Sequence, residues 1–174
     1  MPTTRRVPRR RVQSRPSRTR RTKHPRYTVD ASVFVNAFNP HEDGHEESLA
    51  ILAAIQERDD PIIVPTLLVA EIASAVARAS DDSVGALQYA YATAALPHVT
   101  AVALTSSLAR QAGELAATHR LRGADAVYVA IARRYGTTLV SRDEEQRSRG
   151  SAVLTCQTPQ QALASQHTPK RTPH

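Results

Sequence analysis

With 174 residues, 41% hydrophobic and 22% charged, the chain suits one compact domain, and no apolar run approaches the roughly 20 residues that would cross a bilayer. No secretory leader is expected behind so arginine-rich an N-terminus, the lone Cys156 points to a reducing cytoplasm without disulfide or thiolate metal cage, and 4% aromatics with no Trp argue against a base-stacking surface. The net charge of +7 averages two unlike parts: residues 1–26 hold ten Arg and one Lys and no acid (+11), whereas 27–174 hold twelve basic and sixteen acidic residues (−4).

Residues 1–25 alternate Arg with Pro, Thr and Ser and show no periodic apolar face, so a disordered tail is expected there. Such a tail suits a polyanion-binding arm whose grip weakens with salt; the plainer reading is a solvated extension. The working domain is expected over 26–165, followed by a short polar tail over 166–174.

Within the domain, Tyr27-Thr28-Val29 reads as a strand, 31–37 as a helical turn and 46–57 as a helix with apolar positions at Leu49, Leu52, Ala53 and Ile55. Asp59-Asp60-Pro61 breaks that helix, and Ile62-Ile63-Val64 is a buried strand. Thr66 is placed to cap a helix over 67–79, with Asp81-Asp82 at the break before another helix over 83–95. A strand over 99–104 follows, then a helix capped by Thr105-Ser106 and running to His119. Gly123-Ala124-Asp125 opens a helix that Gly136 stops, 137–140 is a strand, Val153-Leu154 a last short strand and 159–164 a last helical turn. Strands alternating with helices predict an α/β fold, a parallel sheet covered on both faces, with functional groups beyond the carboxyl ends of its strands.

Asp30 and Asp143 both follow strands in that way. Two further acids have unusual surroundings: Glu71 lies in the apolar run Leu67-Leu68-Val69-Ala70-Glu71-Ile72-Ala73, and Asp125 opens the equally apolar helix Asp125-Ala126-Val127-Tyr128-Val129-Ala130. Acids so placed are costly unless paired or metal-bound. Taken singly, Asp125 suits a helix N-terminus and Asp143 a turn, and Glu71 can reach the surface. Taken together they would repel one another until a cation neutralised them, and hard oxygen donors without thiolates favour Mg²⁺ or Mn²⁺ over zinc.

Four segments make the sequence resemble the PIN-domain ribonucleases, particularly the VapC-like toxins of bacterial type II toxin–antitoxin systems. They are Val29-Asp30-Ala31-Ser32, Pro65-Thr66-Leu67-Leu68-Val69-Ala70-Glu71, Arg122-Gly123-Ala124-Asp125-Ala126 and Leu139-Val140-Ser141-Arg142-Asp143, in the family's order. The resemblance implies a three-layer α/β/α sandwich with a central parallel sheet and a Mg²⁺ or Mn²⁺ centre that cleaves RNA endonucleolytically. By position it implies Asp30, Glu71, Asp125 and Asp143 as the catalytic acids, Asp30 and Asp125 as direct metal ligands, and Ser32 and Ser141 as supporting hydroxyls. It further implies a protein antitoxin and a homodimer. Arg120, Arg122 and Arg142 flank the acids in sequence and are candidates to meet RNA phosphates; surface charge is their plainer reading.

Other sites compare poorly. His41 and His45 are four apart, but Pro40 and Gly44 favour a loop over a metal cluster. Cys156 has no evident base and reads as packing. A Rossmann or P-loop site fails because Asp30-Ala31-Ser32-Val33 lacks phosphate-cradling glycines, and a receiver domain needs a lysine where 27–165 contain none. The rival from another class is a non-catalytic RNA-binding or scaffold protein of the same fold that uses its basic tail.

Overall fold

The computed structural model describes residues 26–167. The tail expected over 1–25, and all but the first two residues of the tail expected over 166–174, lie outside the described residues. In chain order the elements are β1 (Tyr27–Val29), α1 (Ala31–Phe38), α2 (His45–Glu57), β2 (Ile62–Pro65), α3 (Leu67–Ser80), α4 (Ser83–Ala94) and β3 (Val99–Val102). They continue with α5 (Ser106–His119), α6 (Gly123–Tyr135), β4 (Thr138–Val140), α7 (Glu144–Gly150), β5 (Cys156–Gln157) and α8 (Pro159–His167).

All strand pairs are parallel, in the order β3-β2-β1-β4-β5. From β1 the chain builds outward to β2 and β3 on one side, then returns to lay β4 and β5 on the other. The order therefore reverses between β1 and β4, which pair Tyr27 with Thr138, Thr28 with Leu139 and Val29 with Val140. A crevice opens beyond the carboxyl ends of two strands at such a reversal.

Burial explains why these short strands hold. Every residue of β1 and β2 is buried, as a sheet covered by helices on both faces requires, while the edge strand β3 exposes its middle residues. α6 is buried at seven successive positions, Ala126 through Ala132, and packs along β1, β2 and β4 as the central helix. Its first turn stands over the β1/β4 reversal, and Gly136 ends it in the left-handed conformation at φ +62°. On the hydrogen-bonding side, Asp30 N–H continues the ladder to the Val140 carbonyl at 2.9 Å before the chain turns into α1.

The structure departs from the sequence expectations at four places. Thr66 makes no side-chain cap: its backbone is already helical, whereas a capping residue must be extended. Val153 and Leu154 are not a strand; their amides close a turn on the Gly150 carbonyl, and the fifth strand is Cys156–Gln157. α7 was not expected, because its sequence carries no apolar period. α8 runs on to His167. Among the described residues no helix is long and apolar enough to cross a membrane.

Candidate active site

Asp30 leaves β1 as the N-cap of α1, a position where a short acid accepts from the orphan amides of the first turn. Its Oδ2 accepts from Ser32 N–H at 2.9 Å and its Oδ1 from Gln146 Nε2 at 3.2 Å. Burial raises its pKa from the ordinary value, the bonds from Ser32 and Gln146 oppose this, and the charge of Asp143 adds to it. Glu71 projects from the second turn of α3, and its Oε2 accepts from Tyr128 OH at 2.6 Å. Burial raises its pKa too, against the Tyr128 bond and with help from the Asp30 and Asp125 charges.

Asp125 lies in the first turn of α6. Burial, then repulsion from Asp30 and Asp143, pushes its pKa up to about 6, with Arg122 opposing and Glu145 adding. Asp143 caps α7, its Oδ1 accepting from Gln146 N–H at 2.8 Å. Its own N–H donates to Ser141 Oγ at 3.0 Å, and its Oδ2 faces Arg122 Nη1 at 3.5 Å.

The four acids thus come from four elements to one open cleft of about 600 Å³. Ser32 and Arg122 share its lining, and α3 extends the wall through Ser74 and Arg78. Ser141 is fully buried beneath Asp143, and Ser32 Oγ accepts from Arg142 N–H at 3.1 Å, so both hydroxyls brace the loop after β4. Of the three arginine candidates only Arg122 reaches the cleft. Its ion pairs with Asp143 and Glu145 (3.1 Å) leave its side chain 67% exposed, which makes them weak and exchangeable. Arg142 instead turns its guanidinium onto the Asp43 carbonyl, and Arg120 ends α5 with its carbonyl bound by Arg149.

The stretch around His41 and His45 is a loop entering α2, as its Pro and Gly suggested. His45 Nδ1 meets the Asn36 carbonyl at 3.1 Å. A depression of similar volume beside this loop, about 610 Å³, brings together none of the four site acids. Gly44 suits that loop: its φ of +75° lies in the left-handed region, and a Cβ there would displace the Arg142 guanidinium.

Tyr128 and Gln146 were not singled out in the sequence, although both had a signal. Tyr128 is three residues after Asp125, hence on the same helix face. Gln146 is three residues after Asp143, the spacing of a capping pair.

The donor set suits a hard divalent cation: carboxylates line the cleft, and no imidazole or thiolate does. Among the described residues no three such groups stand close enough to form a finished cage. That is consistent with like charges spaced apart, three of them, Asp30, Glu71 and Asp143, held by hydrogen bonds of their own.

An acidic crevice at the strand-order reversal of a parallel sheet defines this molecule as a doubly wound α/β protein with a carboxylate centre. It belongs to the PIN domain family, whose model matches residues 27–151. No curated protein matches the sequence. Solved structures show the same fold. VapC20 of Mycobacterium tuberculosis, described as a Sarcin-Ricin loop cleaving toxin, is 20% identical with a TM-score of 0.61, the match covering 71% of this chain and 95% of that one. FitAcB from Neisseria gonorrhoeae is 20% identical at a TM-score of 0.58, covering 76% and 97%. VapBC2 from Rickettsia felis, bound to a DNA fragment from its promoter, is 15% identical at 0.57, covering 76% and 97%.

Proposed function

We propose that the chain is a divalent-metal-dependent endoribonuclease that hydrolyses RNA phosphodiesters in this cleft, and that it is the toxin of a toxin–antitoxin pair. One observation carries the reading: four carboxylates from separate elements meet at the reversal point of a PIN fold, three of them raised in pKa by burial and by one another. Asp30 and Asp125 would hold Mg²⁺ or Mn²⁺, with Glu71 and Asp143 beside them. When bound, the cation supplies charge neutralisation at the phosphate and acidifies water.

The chain's own groups then divide the remaining work. Glu71 Oε1 takes the proton of the attacking water, while Tyr128 OH holds Oε2. Arg122 exchanges its exposed carboxylate partners for the RNA phosphate. Ser32 and Ser141 keep the loop after β4, and so Asp143, in register with Asp30. Arg120 and Arg142 lie outside the cleft lining, so Arg122 is the arginine proposed to meet the phosphate.

The partners follow from the same reading: RNA as substrate, a protein antitoxin covering the cleft, and a second copy of the chain. Support for the antitoxin comes from the two-component names of the structural relatives, VapBC2 and FitAcB.

The test is cleavage of labelled structured and unstructured RNAs by the purified chain with Mg²⁺, Mn²⁺ or EDTA, alongside Asp30→Asn. Expected are metal-dependent fragments that EDTA and the variant abolish. Wild-type turnover by Asp30→Asn would sink the assignment. Salt-sensitive RNA binding without cutting would favour a binding protein that works through its basic tail.

A further inference from the structure

Gln146, the third residue of α7, is fully buried, where a polar side chain is costly unless its hydrogen-bonding atoms are used. Asp143 and Gln146 have the spacing of a capping box. In that motif the first side chain binds the amide three residues on, and the second side chain reaches back to the amide of the first.

Half of that exchange is present: Asp143 Oδ1 accepts from Gln146 N–H at 2.8 Å. The other half is blocked, because Asp143 N–H is taken by Ser141 Oγ at 3.0 Å. The Gln146 side chain turns inward instead, and its Nε2 donates to Asp30 Oδ1 at 3.2 Å. Its Oε1 is left buried with no hydrogen-bond donor among the described residues. The opposite amide orientation would set a carbonyl oxygen against a carboxylate oxygen, so an ionised Asp30 selects the one observed.

Asp30 is consequently held on both oxygens, by Ser32 N–H on Oδ2 and by Gln146 on Oδ1. Two donors on different oxygens fix the rotation of a carboxylate and leave its remaining lone pairs a single direction. We propose that Gln146 is a positioning residue that orients the Asp30 carboxylate toward the divalent cation, at a cost in stability from its own unpartnered carbonyl. The inference rests on reading Asp30 as a cation ligand. It separates from a structural role by which property changes, cation binding or stability. A glutamine kept for the fold loses stability on replacement and leaves cation binding alone. A positioning glutamine weakens cation binding on replacement while the fold holds, since an apolar side chain of similar size removes the orphaned acceptor but also strands Asp30 Oδ1, two effects of opposite sign.

The experiment uses the full chain and two variants, Gln146→Met and Gln146→Leu. Each is titrated calorimetrically with MnCl₂ at neutral pH and melted in EDTA. Mn²⁺ affinity is expected to fall by about tenfold or more, while the melting temperature in EDTA stays close to that of the wild type. Unchanged Mn²⁺ affinity in a folded variant overturns the inference, and so does collapse of both variants in EDTA, which would make the amide structural. Absence of Mn²⁺ uptake by the wild-type chain is a different failure: it removes the cation reading of the site, and this inference with it.

Discussion

Replacing Asp125 by Asn is expected to stabilise the metal-free protein while removing its activity. The carboxyl is pushed up to about 6 from an ordinary 3.8. That is roughly two pK units, a ceiling of about 3 kcal/mol at 1.36 kcal/mol per unit. Asp125 is only half-buried, so solvent screening brings the figure to about 1.5 kcal/mol. Against this, an acid in the first turn of α6 gains about 0.3–1 kcal/mol from the helix dipole, which Asn forfeits. Repulsion and burial still win, by about 1 kcal/mol, or roughly 3 °C for a domain of this size.

The sign of the pH dependence is the sharper check. A carboxyl whose folded pKa is raised binds its proton more tightly when folded. Its penalty is therefore complete above about 6 and vanishes as pH falls toward the unfolded value near 4. Melting curves in EDTA should show Asp125→Asn above wild type at pH 7.5, with the gap closing by pH 4.5. A variant less stable at pH 7.5, or a gap indifferent to pH, would refute the reasoning. Mn²⁺ at pH 7.5 should raise the wild-type melting temperature more than the variant's.

Tyr128→Phe removes the donor that favours the charged form of Glu71, so the acid limb of the cleavage profile should move to higher pH, with a stability loss of about 1 kcal/mol; an unmoved limb would detach Tyr128 from the chemistry. Gly44→Ala should cost about 1–2 kcal/mol in thermal melts, because its φ of +75° suits glycine and Arg142 must shift. Gly113→Ala, inside α5 with open space at its Cβ, should instead gain about 0.5–1 kcal/mol. Removal of residues 1–20 should make RNA affinity less salt-dependent, read as a shallower slope of log K against log salt. An unchanged slope would take the tail out of nucleic-acid binding.

What could be read in advance follows the physics of each signal. β2 and the stretch of α6 from Ala126 to Ala132 were legible because complete burial leaves unbroken apolar runs, β1 because its three residues favour strands, and α4 and α5 because Asp82 and Thr105 cap where a capping residue should stand. α7 was illegible for the opposite reason: Glu144-Glu145-Gln146-Arg147-Ser148-Arg149 presents no apolar period, and a cap and ion pairs hold it. β5 is two residues long and draws its pairing from β4, so the nearby apolar pair Val153-Leu154 was the more visible candidate. At the site, acids in apolar surroundings stood out, but their partners did not. Nothing local tells that Arg142 bends toward Asp43, or that Gln146 faces a residue 116 positions away.

Two of the four acids are also helix caps, and this dictates how the site must be dissected. Asp30→Ala removes an acceptor from Ser32 N–H and leaves the Gln146 amide facing nothing, so it should cost about 1–2 kcal/mol and confuse lost chemistry with lost structure. Asn caps about as well as Asp and keeps an oxygen for Ser32 N–H, while it removes a buried charge that burial and Asp143 both disfavour. Asp30→Asn should accordingly melt at or above the wild-type temperature in EDTA at pH 7.5, and Asp30→Ala below it, with cleavage absent from both. If Asn proved as destabilising as Ala, the charge itself would be holding the loop after β4 in place. Asp30 would then be a structural residue first, and its inactivity on substitution would say nothing about catalysis.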